Sequence, residues 1–319
     1  CIRDRDEMAA PVLQTKLYIP PLRPELVPRS RLIERLNAGI HRKLTLISAP
    51  AGFGKTTVIS EWRHRIPETR DSKSICHNPR FGWLSLEDSD NDPVQFLSYL
   101  LAAIRRIIPG VGETVLSSLH SPKPPSMATA LAPLVNEIAT MSEEGALKNC
   151  CYMLVLDDYH VIQEQSIHDM MRFFLDHLPL PLHLAICSRA DLPWSLSRLR
   201  ANDQITELRS NDLRFTLEET TEFLNRVMEF DLPIADLVAL GERTEGWIAG
   251  LQLAALSMEA MDEGDRHDFV SAFSGSSRYI VDYLLDEVLA RRPEGTKGFL
   301  LQTSILDRMC GPLCDAVLD

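Results

Sequence analysis

The amino-acid sequence predicts an α/β protein in which a mainly parallel sheet carries helices on both faces. Up to about residue 210, short apolar runs of strand type alternate with longer segments of helical periodicity. Beyond that point only helical patterns continue. Because parallel strands need a crossover between them, usually a helix, this order predicts a sheet domain followed by a helical domain.

Five strand-like runs account for the predicted sheet. In chain order they read KLTLISA, FGWLSLED, CYMLVLDD, LHLAICSR and QITELR. One intervening helix is predicted in DPVQFLSYLLAAIRRII, where Asn91 or Asp92 can cap the first turn and Pro93 suits a position inside it. In the helical part, Thr216 precedes Glu219 by three residues, which is the capping-box pattern of a helix start. The prolines between Thr15 and Pro28 favour an extended arm before the first strand.

Composition and charge exclude several classes of protein. The chain has 319 residues, 45% of them apolar and 24% charged, which fits about two soluble globular domains. A formal charge of −12 opposes binding of this chain to a phosphodiester backbone, and no apolar run is long enough to cross a bilayer. The seven cysteines form no Cys-x-x-Cys pair and no secretory signal is evident, so a reduced, cytoplasmic protein is expected.

The stretch APAGFGKTT, directly after the first strand, has the pattern of a phosphate-binding loop. In such a loop, a glycine-rich turn between a strand and a helix points backbone N–H groups at phosphates. Gly54, Lys55 and Thr56 fill the last three places of the pattern, and Ala49 stands where the first glycine is expected. Lysine would reach the β- and γ-phosphates and threonine would hold Mg²⁺. The alternative is an ordinary glycine turn with a surface lysine.

Two carboxylates, Asp157 and Asp158, end the apolar run YMLVLDD. A strand that ends in acids is how a nucleotide site brings oxygen ligands to its metal ion. We assign Asp157 to Mg²⁺ and Asp158 to polarising an attacking water molecule. A solvated turn is the alternative for this pair.

Arg189 follows the next strand and is a candidate sensor of the γ-phosphate. P-loop ATPases with an extra strand between the phosphate loop and the acidic strand have the strand order 5-1-4-3-2, which brings the end of the fourth strand beside the γ-phosphate. A guanidinium there would form charge-assisted hydrogen bonds with phosphate oxygens. The alternative is a surface arginine that pairs with Asp191.

A set of motifs in this order resembles the N-terminal half of MalT-type LuxR-family transcriptional regulators, which belong to the STAND class of signal-transduction ATPases. The motifs are TKLYIPP…LVPRSRLIERL, APAGFGKTT, FGWLSLEDSDNDPVQFL, LVLDDYHVI, ICSRADLPWSLSRLRA, LRFTLEE and TEGWIAGLQLAALS. The similarity runs from about Leu13 to the last residue, apart from an insert near 72–80.

The resemblance implies a P-loop ATPase that acts as a switch. It implies an extended arm over 1–25, a P-loop ATPase domain over 26–209, a small helical domain over 210–275 and the truncated start of a winged-helix domain over 276–319. In such proteins ADP holds a closed form, and exchange for ATP with an inducer opens the molecule for self-assembly. The sensor for the inducer and the helix-turn-helix for DNA would lie beyond this chain, and no membrane contact is implied.

The same resemblance places Val27 and Arg29 against adenine, and Gly246 and Trp247 in a helical-domain motif that packs over the nucleotide. Slow hydrolysis of ATP with Mg²⁺ is the expected activity, and a phosphotransferase, another high-turnover ATPase or an interaction module with a decayed site is the alternative. The expected nucleotide-binding residues are Val27, Arg29, Ala51, Gly52, Phe53, Gly54, Lys55, Thr56, Thr57, Gly246 and Trp247. The expected catalytic residues are Lys55, Asp158 and Arg189, and the expected metal ligands are Thr56 and Asp157.

Overall fold

The structure is a computed structural model that describes residues 12–22, 24–66, 79–115, 127–147, 151–274, 278–290, 293–306 and 308–318. The chain forms two compact units, residues 1–214 and 215–319. Most of the insert near 72–80 lies outside the described residues.

A five-stranded parallel sheet forms the centre of the first unit. Its order is β2-β3-β4-β1-β5, which is 5-1-4-3-2 from the opposite edge, so the predicted strand order is confirmed. Each strand coincides with one of the five predicted runs. Their bounds are β1 Leu44–Ser48, β2 Arg80–Ser85, β3 Tyr152–Asp157, β4 Leu182–Ser188 and β5 Ile205–Arg209.

Helices cover both faces of this sheet. Apolar side chains alternate along the strands, and β1 shows this directly, because Leu46 belongs to one buried cluster and Ile47 to the other. The first two helices pack with Ile47, and the next three pack with Leu46. The helices of this unit are α1 Ser30–Ala38, α2 Lys55–Arg65, α3 Pro93–Ile107, α4 Met127–Glu143, α5 Gln165–Asp176, α6 Ser197–Ala201 and α7 Ser210–Leu213.

The arm before β1 is not extended throughout. Gln14–Leu17 form a 3₁₀ helix, so the prediction of an extended arm is wrong there. The turn carries Lys16 to Asp90, where Nζ lies 2.8 Å from both carboxylate oxygens. It also buries Leu17 in the core, at 2% exposure. Proline spacing does not reveal a turn that a distant carboxylate and a buried leucine stabilise.

Two predicted helix starts are confirmed. Asp92 caps α3 by accepting a hydrogen bond from the Gln95 backbone N–H at 2.8 Å, with Pro93 in the first turn. In the second unit, Thr216 and Glu219 form the reciprocal capping box, with N···O distances of 3.2 and 3.0 Å.

The described residues of the second unit form helices and their connections, with no strand among them. The helix that starts after Thr216 changes to a π-helix at Glu222–Val227, and another π-helix covers Leu284–Leu289. The α-helices are α8 Leu217–Thr221, α9 Ile234–Thr244, α10 Ile248–Met258, α11 Glu263–Ala272, α12 Arg278–Tyr283, α13 Glu294–Thr303 and α14 Gly311–Leu318.

The expectation of reduced cysteines is wrong for Cys151, which is disulfide-bonded. Cys187, Cys310 and Cys314 are free thiols. Absence of a Cys-x-x-Cys pair does not exclude a disulfide, because cysteines at other spacings can also meet the geometry of the bond. In the described parts of the chain, none of the helices is both long enough and apolar enough to span a bilayer.

His183, at the edge of the sheet opposite to the carboxyl ends, predicts a loss of stability in acid. Burial lowers the pKa of this histidine from 6.5 to about 4, and Nε2 lies 3.0 Å from Thr45 Oγ1. Below pH 6.5 the unfolded chain takes up a proton that the folded chain does not, so stability falls as pH falls. The loss from this group is about 1.4 kcal/mol at pH 5.5.

Urea unfolding between pH 5.5 and 7.5 measures this loss. The variant His183→Gln is expected to show a pH dependence that is weaker by about 1.4 kcal/mol across that range, whatever its stability at pH 7.5. Equal pH dependence in the two proteins would show that His183 is not the group that titrates.

Candidate functional site

The candidate site lies where three neighbouring strands of the sheet reach their carboxyl ends. Ser48 is in register with Ser188, and Asp157 follows Leu156, which pairs with Ile186. The turn after β1, the acids after β3 and the residues after β4 are therefore brought together. This is the edge at which open α/β sheets bind their ligands.

The turn between β1 and α2 has the backbone of a phosphate loop. Gly52 has a φ of 78° and Gly54 a φ of 72°, a region that other residues adopt only with strain. Ala49 has no positive φ, and its N–H donates to the carbonyl of Ser188 at 3.2 Å. The first position of the pattern therefore belongs to the end of the strand, which explains why alanine is accommodated there.

Lys55 is the first residue of α2 and is 7% exposed, so it is not a surface lysine. Its ammonium donates hydrogen bonds to the carbonyl oxygens of Ala49 and Pro50, each at 2.9 Å. Burial lowers the pKa of Lys55, and the nearby carboxylates of Asp157 and Asp158 act in the opposite direction. An ammonium that is held among oxygens inside the turn is suited to donate its hydrogen bonds to phosphate oxygens in their place.

Thr56 and Asp157 lie in direct contact. The threonine hydroxyl donates to Asp157 Oδ2 at 2.9 Å, although 101 positions separate the two residues. Asp157 is 4% exposed. Burial and the charge of Asp158 raise its pKa to about 6. A hydroxyl and a carboxylate at this distance form a pair of hard oxygen donors, the set that Mg²⁺ prefers together with phosphate oxygens.

Asp158 lies in a more open position than its neighbour. Its side chain is 46% exposed, and Oδ1 lies 3.7 Å from Nδ1 of His160. Its backbone has a φ of 56°, which is uncommon for a residue other than glycine, and its N–H donates to Asp157 Oδ1 at 3.1 Å. The carboxylate can therefore meet water while the backbone is held beside Asp157.

Arg189 follows the last residue of β4. Its positive charge lowers the pKa of Lys55, and the residue before Arg189, Ser188, is in register with Ser48 at the start of the phosphate loop. Asp191, the alternative partner considered for it, forms an ion pair with Arg209. Two cations at one carboxyl edge are suited to a polyanion such as a triphosphate.

Arg29 contacts the phosphate-loop helix, and Val27 lies two residues before Arg29 in the chain. Val27 is buried, and the backbone N–H of Arg29 donates to Glu61 of α2 at 3.0 Å. The guanidinium of Arg29 donates to the carbonyl oxygen of Leu213 at 2.8 Å. Sequence reasoning missed Glu61, which is 1% exposed; its signal is a carboxylate among the apolar positions of α2.

The remaining candidates are distributed over both units. Phe53 is partly buried against the core, and Ala51 lies half-buried in the turn. Thr57 is exposed on α2. Gly246 and Trp247 lie in the second unit, where Gly246 has a φ of 68° and the Trp247 ring contacts Tyr283 at a centroid distance of 5.5 Å. Their place at a nucleotide stays a prediction.

Comparison with known proteins supports the motif-based resemblance. The chain is 36% identical over 294 residues to the serine/threonine-protein kinase PknK of Mycobacterium tuberculosis. The aligned region covers 92% of this chain and 25% of that protein. It is 32% identical over 295 residues to the HTH-type transcriptional regulator MalT of Vibrio cholerae, covering 92% of this chain and 31% of the regulator. MalT of Yersinia enterocolitica is 33% identical over 298 residues, with 93% and 31% covered.

A solved structure shares the fold. A Signal Transduction ATPase with Numerous Domains (STAND) protein with a tetratricopeptide repeat sensor, from Pyrococcus horikoshii, superposes with a TM-score of 0.51 and 16% identity. The superposition covers 94% of this chain and 37% of that protein. A model of the MalT winged helix domain matches residues 285–319.

The chain spans 25% to 31% of the length of these curated relatives, so the similarity concerns one region of longer proteins. That region covers nearly all of this chain and includes both the phosphate loop and the helical residues after it. The resemblance to MalT-type regulators, predicted from the motifs, is confirmed, and the chain shares the fold of the STAND protein from Pyrococcus horikoshii.

Proposed function

We propose that the chain binds ATP and ADP with Mg²⁺ at the turn after β1 and works as a nucleotide-dependent switch in a transcriptional regulator. The observation that carries this proposal is the contact between Thr56 and Asp157 beside the buried ammonium of Lys55. Chance would rarely bring these three residue types together at the amino end of a helix that follows a turn with two left-handed glycines.

Each group has a separate part in holding the triphosphate. The backbone N–H groups from Ala51 to Thr57 surround the phosphates, and Lys55 exchanges its two carbonyl partners for β- and γ-phosphate oxygens. Thr56 and Asp157 are the protein groups that fit a magnesium ion, which would neutralise phosphate charge. Asp158 orients the attacking water, and Arg189 binds the γ-phosphate.

A nucleotide-dependent switch requires a minimum difference in binding free energy between its two states. Moving a population from 1:99 to 99:1 requires a nucleotide to prefer one state by about 5.5 kcal/mol. Contacts made by ATP and not by ADP have to supply this preference, and Asp158 and Arg189 are the residues proposed to make them. Slow hydrolysis then returns the protein to its resting state.

Further activities are proposed for the full-length regulator of which this chain would be one region. By analogy with the HTH-type regulator MalT, we propose that the full-length protein is cytoplasmic, senses a small-molecule inducer, assembles with copies of itself and binds DNA through its own helix-turn-helix. The chain in hand carries a formal charge of −12, so we expect no DNA binding by it alone.

Two measurements separate the switch from its alternatives. The purified chain is denatured and the released nucleotide identified, and ATP turnover is then followed. Retained ADP with turnover far below about 10 s⁻¹, the median of enzymes, supports the switch. Fast turnover with an acceptor substrate would establish a phosphotransferase, and failure to bind any nucleotide would refute the proposal.

Lys55→Ala is expected to abolish stabilisation of the protein by nucleotide. At a concentration of Mg-ADP 100 times the Kd, binding stabilises the folded chain by about 2.7 kcal/mol, and this gain should disappear because the ammonium is lost. Thermal unfolding with and without Mg-ADP measures the effect. Lys43→Ala, which removes a half-buried lysine outside the phosphate loop whose Nζ donates to the carbonyl of Asp176 at 3.1 Å, is the matched control. An unchanged shift in Lys55→Ala would remove Lys55 from the site.

A further inference from the structure

A buried aromatic cluster joins the loops that follow β3 and β4. It consists of Tyr159, His168 and Trp194. The ring centroids of Tyr159 and Trp194 are 5.7 Å apart, and those of His168 and Trp194 are 5.9 Å apart. Tyr159 is 1% exposed and His168 is 6% exposed. Trp194 is partly buried against the same core, so the cluster extends from the interior to the loop beside the candidate site.

Two residues of this cluster are close in sequence to Asp158 and Arg189, the residues proposed to contact the γ-phosphate. Tyr159 directly follows Asp158, and Trp194 lies on the loop that Arg189 begins. Asp158 has the left-handed φ of 56°, a conformation that surrounding contacts have to hold in a residue other than glycine. The burial of the next side chain, Tyr159, is such a contact.

A polar contact fixes the arrangement of the rings. Tyr159 Oη lies 3.0 Å from Nδ1 of His168, which is carried by α5. Burial raises the pKa of Tyr159 and lowers the pKa of His168, so both are neutral near pH 7. Among the described residues, the indole N–H of Trp194 has no hydrogen-bond acceptor. Ring packing against Tyr159 and His168 therefore holds Trp194.

We propose that Tyr159, His168 and Trp194 are positioning residues that hold Asp158 and Arg189 at the distance which the γ-phosphate of ATP requires. They act through the two loops and do not touch the nucleotide. The inference rests on the proposed function, and it assigns to these residues a part in hydrolysis of ATP and none in binding of ADP.

Paired substitutions test this role. Tyr159→Phe removes the hydroxyl and keeps the ring, and His168→Leu removes the polar partner. His168→Asn keeps an amide group near the position of Nδ1, which can accept or donate. Because ADP has no γ-phosphate, its Kd should stay within about twofold of wild type in all three. Turnover of ATP should fall roughly ten- to a hundredfold in Tyr159→Phe and His168→Leu, since small misplacements of reacting groups have effects of this size.

The conservative variant and a control distinguish positioning from packing. His168→Asn should recover most of the turnover that His168→Leu loses. Tyr99 lies on α3, and its hydroxyl accepts a hydrogen bond from the Leu13 N–H at 3.1 Å. Tyr99→Phe removes this hydroxyl and should leave turnover unchanged. If His168→Leu does not fold, Tyr159→Phe and His168→Asn still give the comparison.

Three results would contradict the inference. Turnover in Tyr159→Phe could equal that of wild type, the affinities for ATP and ADP could fall together, or His168→Asn could fail to recover activity. Any of these would make the cluster a packing feature while leaving the nucleotide site intact. Failure of the wild-type chain to bind nucleotide would instead refute the proposed function, and the inference with it.

Discussion

Asp157→Asn is expected to raise the free energy of unfolding of the nucleotide-free protein by about 3 kcal/mol at pH 7. The pKa of Asp157 is about 6 in the folded chain against 3.8 for the free group, because the carboxylate is buried and lies beside Asp158. Below pH 3.8 the acid is protonated in both states and contributes no penalty. Between pH 3.8 and 6 the unfolded chain releases a proton that the folded chain keeps, so stability falls by about 1.4 kcal/mol for each pH unit and the loss is complete above pH 6.

Urea unfolding in the presence of a chelator measures this gain. The difference between Asp157→Asn and wild type should roughly double, from between about 1 and 2 kcal/mol at pH 5 to about 3 kcal/mol at pH 7. Asp176→Asn, an exposed carboxylate on the same unit, is the control and should change stability by less than about 0.5 kcal/mol. A variant that is less stable than wild type at pH 7 would contradict the prediction.

The same substitution is expected to weaken binding of Mg-ADP. A neutral amide is a poorer magnesium ligand than a carboxylate, so the Mg²⁺-dependent part of the affinity should be lost while stability rises. Titration of ADP with and without Mg²⁺ separates the two effects. Opposite changes in stability and binding are typical of a functional site, where residues are held in unfavourable states for the sake of a ligand.

Lys16→Met is expected to destabilise the first unit by about 3 to 5 kcal/mol. Lys16 and Asp90 are 5% and 0% exposed, and Nζ lies 2.8 Å from both carboxylate oxygens. Removal of one partner of a buried ion pair leaves the other charge without compensation, which has a larger effect than loss of the attraction itself. The arm that Lys16 holds leads towards Val27 and Arg29.

A double-mutant cycle tests the origin of this effect. Adding Asp90→Asn to Lys16→Met should recover part of the lost stability, because the uncompensated charge is then absent. Urea midpoints of the two single variants and the double variant give the coupling. Losses that add without recovery would show that Lys16 stabilises the arm through packing on Tyr99, whose ring centroid lies 4.9 Å from Nζ.

Several features were visible in local patterns. The five strands, the capping of α3 by Asp92 and the capping box at Thr216 depend on residues within a few positions of one another. Such features follow from backbone geometry and from side chains that bond to nearby N–H groups, so a single sequence predicts them well. The strand order followed from the pattern of motifs, since the position of the acidic strand relative to the phosphate loop distinguishes classes of P-loop fold.

Other features depend on residues that are distant in the chain. The 3₁₀ turn at Gln14–Leu17 and the contact of Arg29 with Glu61 have no local signal. The cluster of Tyr159, His168 and Trp194 is of the same kind, because each ring alone fits an ordinary core position.

The local sequence was therefore sufficient for the elements of this protein and for the residue types of its phosphate loop. Periodicity and capping operate over one or two turns, where each residue has only a few conformations to choose between. The partners of buried polar groups became known only from the folded chain. The sheet brings Thr56 to Asp157 across 101 positions and Lys16 to Asp90 across 74. Burial then makes each of these contacts energetically important, because a polar group removed from water has to find its partner inside the protein.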